Sequence, residues 1–132
     1  MLEQHLTQLL LDLGMGPLPP KNKEGLFFME LTPQTKVSFR PLDPGIYLFG
    51  EIAPCPKEKK EDIFAFIMRA NFLGLGTGGA TLALDGEEKF LTLSYALAYD
   101  TNYRNFKETV EEFVNFLDYW RDELARLSKK DE

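Results

Sequence analysis

The chain has 132 residues, of which 44% are hydrophobic and 27% charged, a composition typical of one folded domain. Its 21 acidic and 15 basic residues give a net charge of −6, so the chain repels phosphate backbones and no nucleic acid is expected as a partner. A single cysteine, Cys55, and a single histidine, His5, exclude an internal disulfide, a multi-cysteine metal site and a paired-histidine metal site. No apolar run is long enough for a membrane span and no basic signal segment opens the sequence, so we expect a cytoplasmic protein.

Hydrophobic periodicity divides the chain into five parts of regular structure joined by connections. Leucines at helical spacing predict a helix over residues 1–14, and alternating apolar residues predict a three-stranded meander over 26–53. A second helix is predicted at 57–73, a hairpin with an Asp-Gly turn at 80–99, and a last helix at 102–127. The sequence therefore predicts a single α+β domain of order α-β-β-β-α-β-β-α, with an antiparallel sheet of about five strands packed by helices.

The predicted middle helix is apolar on two sides. Ile63 and Ile67 belong to one stripe, whereas Phe64, Met68 and Phe72 form a second stripe turned well away from the first. One sheet cannot cover both sides of a helix in a chain of this length. We therefore expect the second stripe to face another subunit.

Residues 74–79 match the letters G-x-G-x-x-G, a pattern that binds dinucleotides when it follows a strand and opens a helix. Here the order is reversed, because a predicted helix precedes the glycines and a predicted strand follows them. No Lys-Ser or Lys-Thr pair comes after them, which excludes a P-loop. The segment is interpreted as a connector between helix and strand.

Other residue types that carry chemistry show no pattern typical of a catalytic site. His5 could act as a base beside Cys55 or Ser94, but nothing in the sequence brings these side chains together, and no G-x-S-x-G elbow is present. The carboxylate pairs at 87–88 and 111–112 consist of adjacent residues that point apart, so solvated surface is the favoured interpretation. We expect no enzymatic activity, no metal and no cofactor.

The meander has more large apolar side chains than one core needs. Phe27, Phe28, Phe39, Tyr47 and Phe49 fall on both faces of its strands. One face packs against helices, so the other would expose aromatic rings unless something covers it. An exposed aromatic face indicates a surface for binding another protein.

The chain resembles the class I type III secretion chaperones, the CesT/SycE-like family. The resemblance rests on the leucine-rich first helix at 2–13, the middle helix running into Ala-Asn-Phe-Leu-Gly and the glycine loop at 70–79, the hairpin strand at 91–95, and the amphipathic last helix at 106–127 with Trp120. It covers nearly the whole chain, and the stretch at 70–79 is its most specific part.

The resemblance implies a cytoplasmic dimer in a bacterium with a type III secretion apparatus. Such chaperones bind the N-terminal segment of a secreted effector without ATP, and hold it extended and secretion-competent. The dimer partner is a second copy or a paralogous chaperone. By matching position, the dimer-interface candidates are Phe64, Met68 and Phe72. The candidates for the effector groove, on the first helix and the sheet, are Leu6, Leu10, Phe28, Phe39, Tyr47 and Phe49.

Two alternatives remain open from the sequence. One is a regulatory adaptor of the same fold, which is YbjN-like or binds a regulator, an RNA polymerase subunit or another chaperone; it would take a folded partner rather than an extended segment. The other is an enzyme that uses His5 or the glycine loop, which would lose activity on His5→Ala or Gly76→Ala.

Overall fold

The computed structural model of the protein describes residues 2–32, 35–42, 45–74, 76–98 and 100–129. Among the predicted elements, Met1, residues 33–34 and 43–44 of the meander, and Tyr99 lie outside the described residues, as does Leu75 of the glycine loop. The helices and strands are α1 (Leu2–Asp12), β1 (Phe27–Thr32), β2 (Thr35–Leu42), β3 (Gly45–Pro54), α2 (Lys60–Asn71), β4 (Thr81–Leu84), β5 (Phe90–Leu97) and α3 (Tyr103–Lys129). A short 3₁₀ turn, Phe72–Gly74, follows α2. The predicted α+β class and the element order are confirmed.

The described strands form one antiparallel sheet in the order β1-β2-β3-β5-β4. The three strands of the meander are neighbours, and β5 pairs with β3, which places β4 at the far edge. Phe27, Phe39, Leu48 and Tyr95 occupy one row across four strands. Since side chains alternate along a strand, their sequence neighbours point to the opposite face of the sheet.

The core lies between one face of the sheet and the helices α1 and α3. Val37, Phe39, Leu48 and Leu93 on that face are completely buried. The last helix has apolar residues at alternating spacings of three and four, which predict a buried row. Leu127, the last of them, is partly buried, and the others are buried: Phe106, Val110, Phe113, Leu117, Trp120 and Leu124. Burying a large apolar side chain stabilises a fold by about 1.5–3 kcal/mol, so α3 is a principal source of the stability of this domain.

Helix boundaries differ from the sequence prediction by up to three residues: α1 ends at Asp12 rather than at residue 14, and α2 ends at Asn71 rather than at residue 73. The middle helix begins at Lys60 rather than at residue 57, because Lys59 has a left-handed backbone with φ of 58° and no side chain caps the helix at that position. The last helix extends to Lys129 rather than ending at residue 127. Its start agrees with the prediction, because the side chain of Asn102 accepts a hydrogen bond of 2.9 Å from the backbone N–H of Asn105.

Candidate protein-binding surfaces

The face of the sheet away from the core has a notch between two aromatic rings. Phe28 on β1, Ser38 on β2 and Phe49 on β3 occupy one row. Ser38 in the middle is small and 3% exposed, whereas Phe28 is 51% exposed and Phe49 is half-buried. The two rings therefore stand on either side of a serine, and we call these three residues the aromatic notch.

The aromatic notch opens into a cavity of about 500 Å³. Its rim has both signs of charge, with Glu24 and Glu51 opposed by Lys36 and Arg121. The wall is apolar and the rim is polar, which is the usual layout of a site that binds a peptide or a small ligand. Tyr47, also a predicted groove residue, lies one row further along the same face and is half-buried.

Three of the six predicted groove residues do not reach the surface. Leu6 and Phe39 are 0% exposed and Leu10 is 4% exposed. Phe39 points to the core, where its ring centroid lies 6.1 Å from that of Phe106. Leu6 and Leu10 are buried because the stripe of α1 that was assigned to the groove attaches the helix to the core. Phe39 is buried because it lies on the opposite face of the sheet from Ser38.

The sequence interpretation missed two exposed apolar side chains at the end of α1. Leu11 is 68% exposed and Leu13 is 46% exposed. Leu11 stands outside the apolar stripe of its helix, which was an available signal. The spacing placed Leu13 in that stripe, but α1 ends at Asp12, so Leu13 lies outside the helix and is exposed.

The second stripe of α2 is exposed as well. Ile63 and Ile67 are buried, but Met68 is 71% exposed and Phe72 is 66% exposed. Phe64 is half-buried and packs against the core. Phe64 and Met68 lie one turn apart on α2, and Phe72 follows four residues later in the 3₁₀ turn just past the helix; these three residues are here called the α2 stripe. Large apolar side chains in such a row are typical of a protein interface.

The two outer edges of the sheet differ. At the β4 edge, the side-chain amide of Asn71 donates to the carbonyl of Leu82 at 2.7 Å and accepts from its N–H at 2.8 Å. This amide takes the place of a neighbouring strand. At the other edge, β1 pairs with β2 on one side and with no further strand among the described residues. The exposed edge of β1 is thus the outer edge that can accept an added strand.

The glycine loop is packed against the helices. A Cβ added at Gly76 would lie 2.9 Å from the Cβ of Ala70, and one at Gly78 would overlap the ring of Phe116. The indole of Trp120 donates to the carbonyl of Gly76 at 3.0 Å. These glycines allow close approach of α2 and α3, which accords with their interpretation as a connector.

His5 belongs to the contact between α1 and α3. Its Nε2 lies 2.9 Å from the carbonyl oxygen of Thr101, and its ring stacks on Phe106 with centroids 5.1 Å apart. Nearby, the hydroxyl of Tyr103 donates to the carboxylate of Asp12. Burial and this hydrogen bond raise the pKa of Tyr103 to about 12, and the same bond lowers the pKa of Asp12. His5 therefore supports a helix contact, and neither Cys55 nor Ser94 is among its bonding partners.

In the part of the chain that the structure describes, no three His, Cys, Asp or Glu side chains are grouped in a way that could hold a metal ion. None of the described helices is both long and apolar enough to cross a membrane.

Comparison with known proteins identifies the family. The model of the Tir chaperone protein (CesT) family matches residues 4–121 of this chain. A Chlamydia pneumoniae protein, CPj0713/CpB0740, is 25% identical over 127 residues, covering 95% of this chain and 97% of the relative. That family match covers most of the chain, and its members are chaperones. The chain belongs to the Tir chaperone (CesT) family.

Solved structures share the fold. A chain of the ExsC–ExsE complex matches with a TM-score of 0.74 at 16% identity, covering 92% of this chain and 91% of that one. A chain of the ExoU–SpcU heterodimer from the Pseudomonas aeruginosa type III secretion system matches with a TM-score of 0.72 at 14% identity, covering 95% and 98%. YbjN of E. coli, a putative transcription regulator, matches with a TM-score of 0.58 at 17% identity, covering 86% and 87%.

Proposed function

We propose that this chaperone binds the N-terminal segment of a secreted effector and holds it extended and secretion-competent without ATP. The observation that carries the proposal is the aromatic notch: Phe28 is 51% exposed on a sheet face that α1 and α3 leave open. The ExoU–SpcU heterodimer comes from a type III secretion system and the HopA1–SchA structure is a chaperone–effector complex, and this chain shares the fold of a chain in each. A bound segment would place apolar side chains in the notch.

Binding an extended segment requires a large apolar contact area. A segment without its own fold loses conformational entropy on binding, so it must bury much apolar area to bind stably. The cavity of about 500 Å³ at the notch accommodates only part of such a segment. Leu11 on α1 and Leu13 just after it offer a second apolar area, and a dimer doubles both.

We propose a dimer built on the α2 stripe, with a second copy or a paralogous chaperone as partner. Met68 and Phe72 are among the most exposed large apolar side chains of the described chain, at 71% and 66%. Burying them against an identical stripe removes this surface from water, as two-fold symmetric interfaces do. Phe64 would form the inner end of that interface because it already contacts the core.

We propose that the protein acts in the cytoplasm as a binding protein and not as an enzyme. The glycine loop is occupied by packing contacts and His5 by a helix contact, so neither supports catalysis. No nucleic acid is proposed as a partner, because the net charge of −6 opposes it.

A regulatory adaptor is the second candidate, favoured by the likeness to YbjN with its TM-score of 0.58. An adaptor would bind a folded regulator, an RNA polymerase subunit or another chaperone. The two functions differ in the state of the partner: the chaperone binds an extended segment, whereas the adaptor binds a folded surface.

Affinity purification of the tagged chain from its native bacterium, followed by limited proteolysis and mass spectrometry, separates them. The chaperone function predicts one secreted protein retained through a protected N-terminal segment of roughly 50 residues or more. Phe49→Ser should lose that protein, while the matched control Tyr119→Ser, on an exposed position of α3, should retain it. Retention of a folded regulator without a protected segment contradicts the chaperone function and supports the adaptor.

A further inference from the structure

The sheet separates between two of its central strands. The ladder of β2 and β3 runs from Leu42 and Gly45 to Ser38 and Phe49 and ends there. Beyond that point residues 35–37 of β2 continue to pair with β1, and residues 50–54 of β3 continue to pair with β5. The two strands therefore diverge within the sheet, and we call the gap between 35–37 and 50–54 the slot.

The slot opens into the cavity at the aromatic notch. Lys36 from one side and Gly50 and Glu51 from the other line the same 500 Å³ space as the aromatic notch. A second cavity of about 340 Å³, lined by Ile52, Pro54 and Leu124, begins on the far side. Arg121 lines both cavities, so its side chain lies between them.

On the side of the slot, backbone groups of β3 have no partner strand in the described chain. The carbonyl of Phe49 accepts a hydrogen bond of 3.3 Å from the hydroxyl of Ser38, which shows that the backbone groups of Phe49 face β2. Alternate residues of a strand direct their N–H and C=O groups to the same side, so those of Glu51 face the slot. No residue of β2 pairs with Glu51 in the described chain. From residue 50 to 54 this inner edge is about 13 Å long at the usual rise of a strand.

Arg121 adds a charge at the base of the slot. Its Nη1 lies 3.3 Å from the carboxylate of Asp118 and 3.4 Å from the hydroxyl of Thr35. Its Nε and Nη2 have no partner among the described residues, and its side chain is 28% exposed. The other charged groups that line the cavity, Glu24, Glu51 and Lys36, are exposed at the rim.

We infer that the slot is a second strand-accepting site, internal to the sheet, for an extended partner segment with an acidic residue. The segment pairs with the backbone of Glu51, places an apolar side chain between Phe28 and Phe49, and directs a carboxylate to the free nitrogens of Arg121. Guanidinium and carboxylate form strong charge-assisted hydrogen bonds, which would select acidic segments. This inference rests on the proposed function, because it specifies how the extended segment is recognised.

A phage-displayed library of random 12-residue peptides, selected on the purified wild-type protein, provides the probe. The recovered peptides should combine apolar residues at alternate positions with one acidic residue. Their affinity is then measured by fluorescence anisotropy on two variants of one position. Glu51→Pro removes the backbone N–H, whereas the matched control Glu51→Ala keeps it.

We expect Glu51→Pro to weaken binding about tenfold or more, and Glu51→Ala to change it less than about twofold. Arg121→Met should weaken acidic peptides about tenfold and leave their amidated Asn or Gln analogues unchanged. Equal affinity for Glu51→Pro and Glu51→Ala would overturn the slot.

Amide hydrogen exchange on the wild-type protein tests the same pairing without a variant, in case Glu51→Pro does not fold. Peptide binding should slow exchange of the Glu51 amide about tenfold or more. Protection confined to the amides of β1 would overturn the slot in favour of the outer edge, and failure to select any peptide would overturn it as well. The proposed function is tested separately by the purification above, since an effector segment bound elsewhere on the surface would leave it intact.

Discussion

The side chain of Asn71 pairs with both backbone groups of Leu82, at 2.7 and 2.8 Å, and so completes the β4 edge as a strand would. A residue at the end of one helix thereby binds the edge strand at Leu82 and takes up the backbone groups that another chain would use there. In this protein an added strand is directed to β1 or to the slot.

The first prediction concerns this pair. Asn71→Ala should destabilise the fold by about 1–3 kcal/mol, because it leaves the N–H and C=O of Leu82 without partners. Asn115→Ala, a change at an exposed position of α3, should have little effect. Urea unfolding followed by circular dichroism measures both. Equal midpoints for the two variants would show that the amide contributes nothing to the edge.

A second prediction tests the packing of β3 against α3. A Cβ at Gly50 would lie 2.7 Å from Cδ1 of Leu117, so Gly50→Ala should destabilise the fold by about 1–3 kcal/mol through overpacking. Gly86→Ala is the matched control, because nothing lies within 4 Å of that position. Adding Leu117→Ala should offset part of the cost of Gly50→Ala, and unfolding data on the double-mutant cycle detect the coupling. Strict additivity would exclude the contact as the cause.

The contact between Tyr103 and Asp12 predicts a dependence of stability on pH. The pKa of Tyr103 is raised from 10.0 to about 12 in the folded protein, so its contribution is present below pH 10 and is lost as the pH rises towards 12. The pKa of Asp12 is lowered, so its contribution is present above the unfolded value and is lost as the pH falls through the folded one.

Tyr103→Phe should remove the effect of Tyr103 and part of the effect of Asp12, because Gln8 and Lys107 also lower the pKa of Asp12. The stability of the variant, measured by thermal unfolding from acid to pH 12, should differ from that of wild type most near neutral pH, and the difference should shrink towards both extremes. A constant difference across that range would mean that the pair does not titrate as described.

A fourth prediction concerns the α2 stripe. Met68→Asp or Phe72→Asp should weaken the proposed dimer by at least about tenfold, because each places a charge in an apolar interface. Leu11→Asp is the control, since that leucine is equally exposed but lies on α1. Light scattering during gel filtration reports the mass. If the two α2 variants keep the wild-type mass, another surface forms the dimer.

The sequence predicted the elements well because their patterns are local. The buried row of α3 and the two stripes of α2 repeat at helical spacing, and both follow from residue types alone. The start of α2 was less predictable, since a left-handed Lys59 with φ of 58° has no signature in its neighbours. Confirming the family required comparison with other proteins in addition to these patterns.

The candidate site was predictable only in part. Phe28 and Phe49 could be placed on the open face of the sheet because aromatic residues alternate onto both faces of the meander. Phe39 was misplaced because a shift of one residue reverses the face of a strand. The slot could not be foreseen, because it depends on the point at which the ladder of β2 and β3 ends, and no residue in either strand marks it.

The most direct test of the central claim is calorimetric titration of the protease-protected effector segment, recovered from the purified complex, into this protein. We predict saturable binding with a negative heat-capacity change, which marks apolar burial. The double variant Phe28→Ser/Phe49→Ser should weaken that binding at least about tenfold, while Tyr119→Ser should leave it unchanged. Unaltered affinity in the double variant would contradict the claim that the open face of the sheet binds the effector.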